Sequence, residues 1–315
     1  MRSDLDQGRS VLSLDGWMEF NRRKWGFVPL RVTYTDGRSE IPAVEAVLYL
    51  DRSGRVTQPR MNPYLPVTFT PSPTESMPKV YRQWDRLSRA FAHDLASRGV
   101  RGSVALSPDV TDIRQWRWHG FVVDVRYTFW LSIPYSLESA DYSVVKQVKK
   151  AQRSGFTSGL ASREQFDDVI ACLRASEIRQ GFSYRIEASD LALASECLGE
   201  QNLRAYVCRS PSGEAVASRV VIAAPGHRCV DWAAGTKAEY LSSGATQFLI
   251  WEVLNDLEGL GARGFDFAGA NIPSVSAAKA DWGGVLMPYY GISALNTRTL
   301  ARLGLAMVRK LGARR

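Results

Sequence analysis

The chain has 315 residues, 45% of them hydrophobic and 23% charged, which is the composition of an ordinary globular protein with one large domain or two smaller ones. No apolar run approaches the roughly 20 residues that span a bilayer, and the polar opening MRSDLDQGRS lacks the basic-then-apolar order of a signal peptide, so a cytoplasmic protein without a membrane span is expected. A net charge of +8 favours an anionic partner such as tRNA, a nucleotide or coenzyme A without choosing among them.

Taken in chain order, PLRVTYTDGRSEIPAVEAVLYL reads as two strands joined by an Asp-Gly turn. PYLPVTFTPSPTESMPK (63–79) is rich in proline and serine and is expected as an exposed loop without regular structure, either a lid or a plain connection. A helix follows around VYRQWDRLSRAFAHDL, with apolar residues at three- and four-residue spacing. GVRGSVALSPD and WHGFVVDVRYTFWL then read as a short buried strand and a longer one.

The region SLESADYSVVKQVKKAQRSGFTSGLASREQFDDVIACLRASEIRQG is the helical part of the chain. Its first helix carries a basic face of Lys149, Lys150 and Arg153 beside Gln147, and Gly155 is a natural C-terminal cap. That face is either solvated or an anion site. NLRAYVCRSPSGEAVASRVVIAA repeats the hairpin through a Ser-Gly turn, TQFLIWEVLNDLEGL repeats the helix, and GARGFDFAGAN and WGGVLMPYYGISAL repeat the two closing strands. One β-β-β-α-β-β unit, duplicated, accounts for this pattern. The basic end of the chain, from about residue 297, reads as a solvated C-terminal helix in preference to an RNA-binding arm. The four cysteines, all in the second half, show no CxxC pairing and read as reduced, partly buried thiols. The three histidines are far apart, so no metal site is expected.

The duplicated unit, the KQVKKAQRSGF helix, the DWAAGTKAEYLSSGATQFLIWEVLNDLEGLGARGFDFAGA block and the closing K-x-x-W-G-G…PYY together resemble the double GNAT-fold, FemABX-like family. The likeness is strongest from about 140 to 290. It implies an α/β (α+β) fold of two tandem GNAT-like domains, 1–135 and 136–315, each a mixed, mostly antiparallel sheet flanked by helices. It also implies an acyltransferase that moves an aminoacyl group from aminoacyl-tRNA to the amine of a small or peptidyl acceptor, and the absence of a heptad-like helical hairpin favours an antibiotic-type natural-product pathway over a cell-wall role. No bound cofactor is then expected, aminoacyl-tRNA being a co-substrate. The alternatives are an acyl-coenzyme A or acyl-carrier donor, and a non-catalytic scaffold on the same fold.

The resemblance gives Lys279 the part of oxyanion donor or tRNA contact, against a plain loop lysine. Asp266, in the strand FDF, either takes the proton of the attacking amine or orients that amine, or else bonds the amides of Gly269–Asn271. Trp282, Tyr289 and Tyr290 are expected to line a substrate pocket or to belong to the core. Arg126, Tyr127 and Asn271 are weaker substrate-binding candidates. Ser243, Gly244 and Ala245 occupy the phosphate-cradling loop before a helix, with Lys149, Lys150 and Arg153 as further phosphate or tRNA contacts. The loop lacks the Arg/Gln-x-x-Gly-x-Gly/Ala spacing of coenzyme A users, which favours the tRNA donor.

Overall fold

A computed structural model describes residues 8–37 and 40–295, so the basic C-terminal segment lies outside the described residues. The elements run α1 (Asp15–Trp25), β1 (Val28–Thr35), β2 (Ala43–Leu50), β3 (Val56–Thr57), β4 (Val67–Thr70), α2 (Met77–Arg98), β5 (Ser103–Leu106), α3 (Arg114–Trp118) and β6 (Phe121–Ser132). Then come α4 (Tyr142–Arg153), β7 (Thr157–Leu160), α5 (Phe166–Gln180), α6 (Ala188–Leu198), β8 (Leu203–Arg209), β9 (Ala215–Ile222) and β10 (Arg228–Thr236). The described chain closes with α7 (Ala245–Gly259), β11 (Gly264–Asp266), α8 (Pro273–Ala280) and β12 (Val285–Ala294). Both hairpins, both long helices and both pairs of closing strands fall where the repeat places them.

The chain divides into two compact units. The first holds residues 8–24 and 127–287, the second 25–126 and 288–295, and the divisions fall within β6 and β12. This partition differs from a single cut after residue 135, because the first helix belongs with the later half. Trp17 and Phe20 of α1 stack on each other at 5.1 Å and both meet the ring of Trp232 edge-on, at 5.3 and 5.5 Å. Lys24 pairs with Asp190 at 2.6 Å, and Gly16 lets α1 approach the backbone of Cys197 and Leu198.

In the first unit the sheet order is β6-β11-β10-β9-β8-β7, all antiparallel except the β10–β11 pair. Every residue of β9 is buried, as expected for a strand covered on both faces, with α5 and α7 both packed against it. Its core joins Val221, Phe248, Leu249, Leu254, Phe265 and Phe267 with the inner faces of α4 and α7. In the second unit β1 pairs with β2, β2 also pairs with β3 and β4, and β5 pairs with β12. The proline-rich stretch departs from its expectation here. Val67–Thr70 is a strand against Ala43–Ala46, Tyr64 and Leu65 are fully buried, and α2 begins at Met77 with a proline in its first turn. The alternating Val-Thr-Phe-Thr signal outweighs the prolines on either side of it.

Candidate active site

The site is built where β10 leaves its neighbour. Pairing with β11 covers only Arg228–Val230 against Gly264–Asp266, and the register with β9 slips between Asp231 and Ala233. A bulge of this kind re-aims side chains and ends regular pairing. A cleft of about 570 Å³ lies there, lined by β9, the distal half of β10, the first turns of α7, the turn after β11, and α8. Side chains already take the backbone groups of distal β10. The Tyr184 hydroxyl donates to the Ala234 carbonyl at 2.9 Å, Ser176 Oγ accepts from the Thr236 amide at 3.0 Å, and Arg179 Nη1 donates to the Thr236 carbonyl at 2.7 Å.

Lys279 lines this cleft from the last turn of α8, a short helix where the sequence suggested a loop. Its ammonium donates to the carbonyls of Phe267 at 2.5 Å and Gly269 at 2.6 Å. An ammonium has three donors, so one is left for an occupant of the cleft. Burial pulls its pKa down to about 8, while the charges of Asp231 and Asp266 oppose that fall.

Asp266 does not line the cleft. It is fully buried at the end of β11, where Oδ1 accepts from Thr128 Oγ1 at 2.6 Å and the Ala268 amide at 2.7 Å, and Oδ2 from Trp130 Nε1 at 2.8 Å. Thr128 Oγ1 in turn accepts from the Gly269 amide at 3.0 Å. These bonds fix the 267–269 turn, whose carbonyls hold Lys279. Asn271 continues the anchoring, its Oδ1 accepting from the Tyr127 amide at 2.9 Å.

Among the other expected residues, Trp282 is both core and cleft wall, 1% exposed and packed near Phe267. Tyr289, Tyr290 and Arg126 belong to the second unit. There Tyr289 is buried against Tyr64, Tyr290 pairs with Leu106 in the sheet, and Arg126 bonds Asp124 and Ser103. Lys149 and Arg153 are exposed on α4, and Lys150 donates to the Ser242 carbonyl at 2.7 Å.

The loop before α7 is crowded by its own chain. Gly244 adopts a left-handed conformation at φ 88°, and a Cβ there would lie 2.2 Å from the Gln147 carbonyl oxygen of α4. Ser243 Oγ accepts from the Ala245 amide at 3.1 Å, so one donor at the helix start is already used.

Sequence reading missed the buried ion pair of Arg219 on β9 and Asp231 on β10, both in the cleft wall. Burial pushes the Asp231 carboxyl upward, while Arg219 and Lys279 pull the other way. A single charge inside each of two apolar stretches, Arg219 in SRVVI and Asp231 in CVDWAAG, was the available signal. All four cysteines are free, and burial pushes Cys172 and Cys229 up to about 11 and Cys208 to about 12, unsuited to nucleophilic work. Among the described residues no group of three or more His, Cys, Asp or Glu could hold a metal ion, and no helix is long and apolar enough to cross a membrane.

Comparison with known proteins agrees with this architecture. Residues 142–274 match the acetyltransferase (GNAT) domain family. The crystal structure of FemX superposes with a TM-score of 0.64 at 12% identity, covering 96% of this chain and 98% of that one. The C-terminal domain assigned to a lysylphosphatidylglycerol synthetase of Agrobacterium fabrum gives 0.57 at 12% identity over 95% and 93%. L-PGS from Bacillus licheniformis gives 0.55 at 12% identity over 93% and 90%. No curated protein matches the chain by sequence. The fold is of the GNAT type. More narrowly, the chain carries a GNAT-family domain over residues 142–274 within a FemX-like fold.

Proposed function

We propose that the protein transfers an aminoacyl group from aminoacyl-tRNA to the amine of a small or peptidyl acceptor. The observation that carries this reading is Lys279, an ammonium held by two carbonyls at the wall of the cleft with one donor to spare. The acceptor nitrogen attacks the ester carbonyl carbon, the carbonyl oxygen gains charge against Lys279, and the bond to the ribose oxygen then breaks. The proton lost by the amine goes, directly or through water, to the departing ribose oxygen. The ester is already activated, so alignment supplies most of what is needed, up to about 7–11 kcal/mol in favourable cases. Asp266 serves as a positioning residue for the turn that holds Lys279.

The choice of donor is supported by two features of the first unit. An extended amide-bearing arm such as that of coenzyme A would seek unpaired backbone groups on distal β10, but Tyr184, Ser176 and Arg179 occupy those of Ala234 and Thr236. A pyrophosphate would seek the loop before α7, which Gln147 and Ser243 crowd. A charged-tRNA end needs neither. The name of the lysylphosphatidylglycerol synthetase neighbour also fits aminoacyl transfer on this fold.

The test is transfer of radiolabel from a pool of charged tRNAs to a small-molecule cell extract, with and without ribonuclease. Ribonuclease-sensitive labelling of an amide product is expected. No labelling, together with thermal stabilisation by an acyl-coenzyme A, would transfer the enzyme to the thioester donors.

A further inference from the structure

Two acceptor atoms in the cleft wall, Asp231 Oδ1 and Gln247 Oε1, are buried without a hydrogen-bond partner among the described residues. A buried acceptor left unmet is costly, and a charged one most of all, so such atoms mark where a ligand or ordered water belongs. Asp231 is 7% exposed, sits at the bulge of β10, and gives only its other carboxylate oxygen to Arg219. The two unmet atoms lie on different elements, β10 and the first turn of α7, that wall the same cavity. An anion has no donor to give either acceptor, and a hydroxyl brings one donor to two waiting acceptors. A primary ammonium brings three donors, enough for both, and its bond to the carboxylate is charge-assisted.

We propose that Asp231 Oδ1, with Gln247 Oε1 beside the same cavity, forms a subsite for a primary ammonium group of a reactant. This rests on the acyl-transfer reading only for the source of that ammonium. It is either the α-ammonium of an aminoacyl donor or the acceptor amine before it loses its proton. In both cases the carboxylate bonds –NH₃⁺ without bond making, and the subsite selects against reactants whose nitrogen is acylated or missing.

The test uses the full chain and calorimetric titration of L-alaninamide, N-acetyl-alaninamide and propionamide. A charge-assisted bond to a buried carboxylate predicts a preference of about 10-fold or more for alaninamide over the other two. Asp231→Asn should abolish the preference, and Gln247→Leu, which leaves the Asp231–Arg219 pair intact, should reduce it several-fold. Equal binding of all three by the wild-type chain overturns the proposal even if Asp231→Asn fails to fold, and so does a preference that survives in a folded Asp231→Asn protein. Competition assigns the source. A non-hydrolysable 3′-aminoacylamino adenosine displaces alaninamide when the donor fills the subsite, whereas its N-acetyl form does not. Displacement by amines from the acceptor pool, and not by the adenosine, assigns the acceptor. Displacement by neither counts against the subsite. These are binding measurements, so an ammonium preference without any acyl transfer would remove the transferase reading and leave the subsite standing.

Discussion

At the scale of single residues, the proposed roles of Lys279 and Asp266 differ, one facing the cleft and the other fixing the turn that holds it. Lys279→Ala removes a positioned donor from the cleft and should lower kcat by about 100-fold or more while leaving the folded state intact, as checked by transfer assays beside circular dichroism. The pH dependence follows from burial. The ammonium is present below about 8, so the transfer rate should decline as pH rises through that value. Between about 8 and the ordinary value of 10.5 the unfolded chain binds more protons at this site than the folded one, so this group adds stability as pH rises over that window. Urea midpoints should accordingly move in favour of the wild-type chain over Lys279→Met from about pH 8 to 10; a pH-independent gap would contradict the assignment. Asp266→Asn places an amide against three donors where a carboxylate stood, and should cost about 2–4 kcal/mol in the same measurement. Strand alternation made the inward carboxylate in FDF legible, but the sequence reading pointed it at the Gly269–Asn271 amides, whereas it takes the Ala268 amide and the Gly269 amide goes to Thr128. The two side chains that complete its surroundings were not legible, since Thr128 and Trp130 lie on a strand that becomes its neighbour only through long-range pairing.

At the scale of elements, local periodicity made the hairpins and long helices readable, whereas short or unusual pieces escaped it. Helix α8, PSVSAAKA, has at most partly buried residues, among them Lys279, and so carries no apolar stripe to announce it. Strand β4 is flanked by prolines that argue for a loop. The bulge in β10 leaves no mark in composition, yet it lies in the wall of the cleft. Close approach of α5 to this strand is equally silent in sequence and has a sharp consequence. A Cβ on Gly235 would lie 2.2 Å from the Cys172 carbonyl oxygen and 2.6 Å from the Leu173 Cα, both backbone atoms of the helix. Gly235→Ala should therefore destabilise by about 1–3 kcal/mol and shift the Thr236 contacts of Ser176 and Arg179, readable as a lowered midpoint of thermal unfolding. An unchanged midpoint would mean that α5 can retreat without loss.

At the scale of the whole molecule, the net charge of +8 gives any tRNA affinity an electrostatic part, so the logarithm of the binding constant should fall linearly with the logarithm of salt concentration. A flat dependence would point to a neutral donor. The partition of the chain also governs which fragments hold together. A fragment beginning at residue 127 loses α1 and uncovers Trp232, which in the full chain meets Trp17 and Phe20. It should show a lower denaturant midpoint than the same fragment supplied with residues 8–24, and equal midpoints would refute the packing role of α1. The sequence alone could not reveal this arrangement, because the repeat draws the eye to a single boundary near the middle of the chain.

The interleaving bears on synthesis as well. One unit needs residues from near the start and as far as 287, and the other needs residues 25–126 and then 288–295. A ribosome that has made only the first half therefore presents a nascent chain in which neither body is complete. The N-terminal helix must wait, with Trp17 and Phe20 uncovered, until the strand bearing Trp232 emerges. Chaperone occupancy on such nascent chains should persist until that strand has left the exit tunnel and then fall.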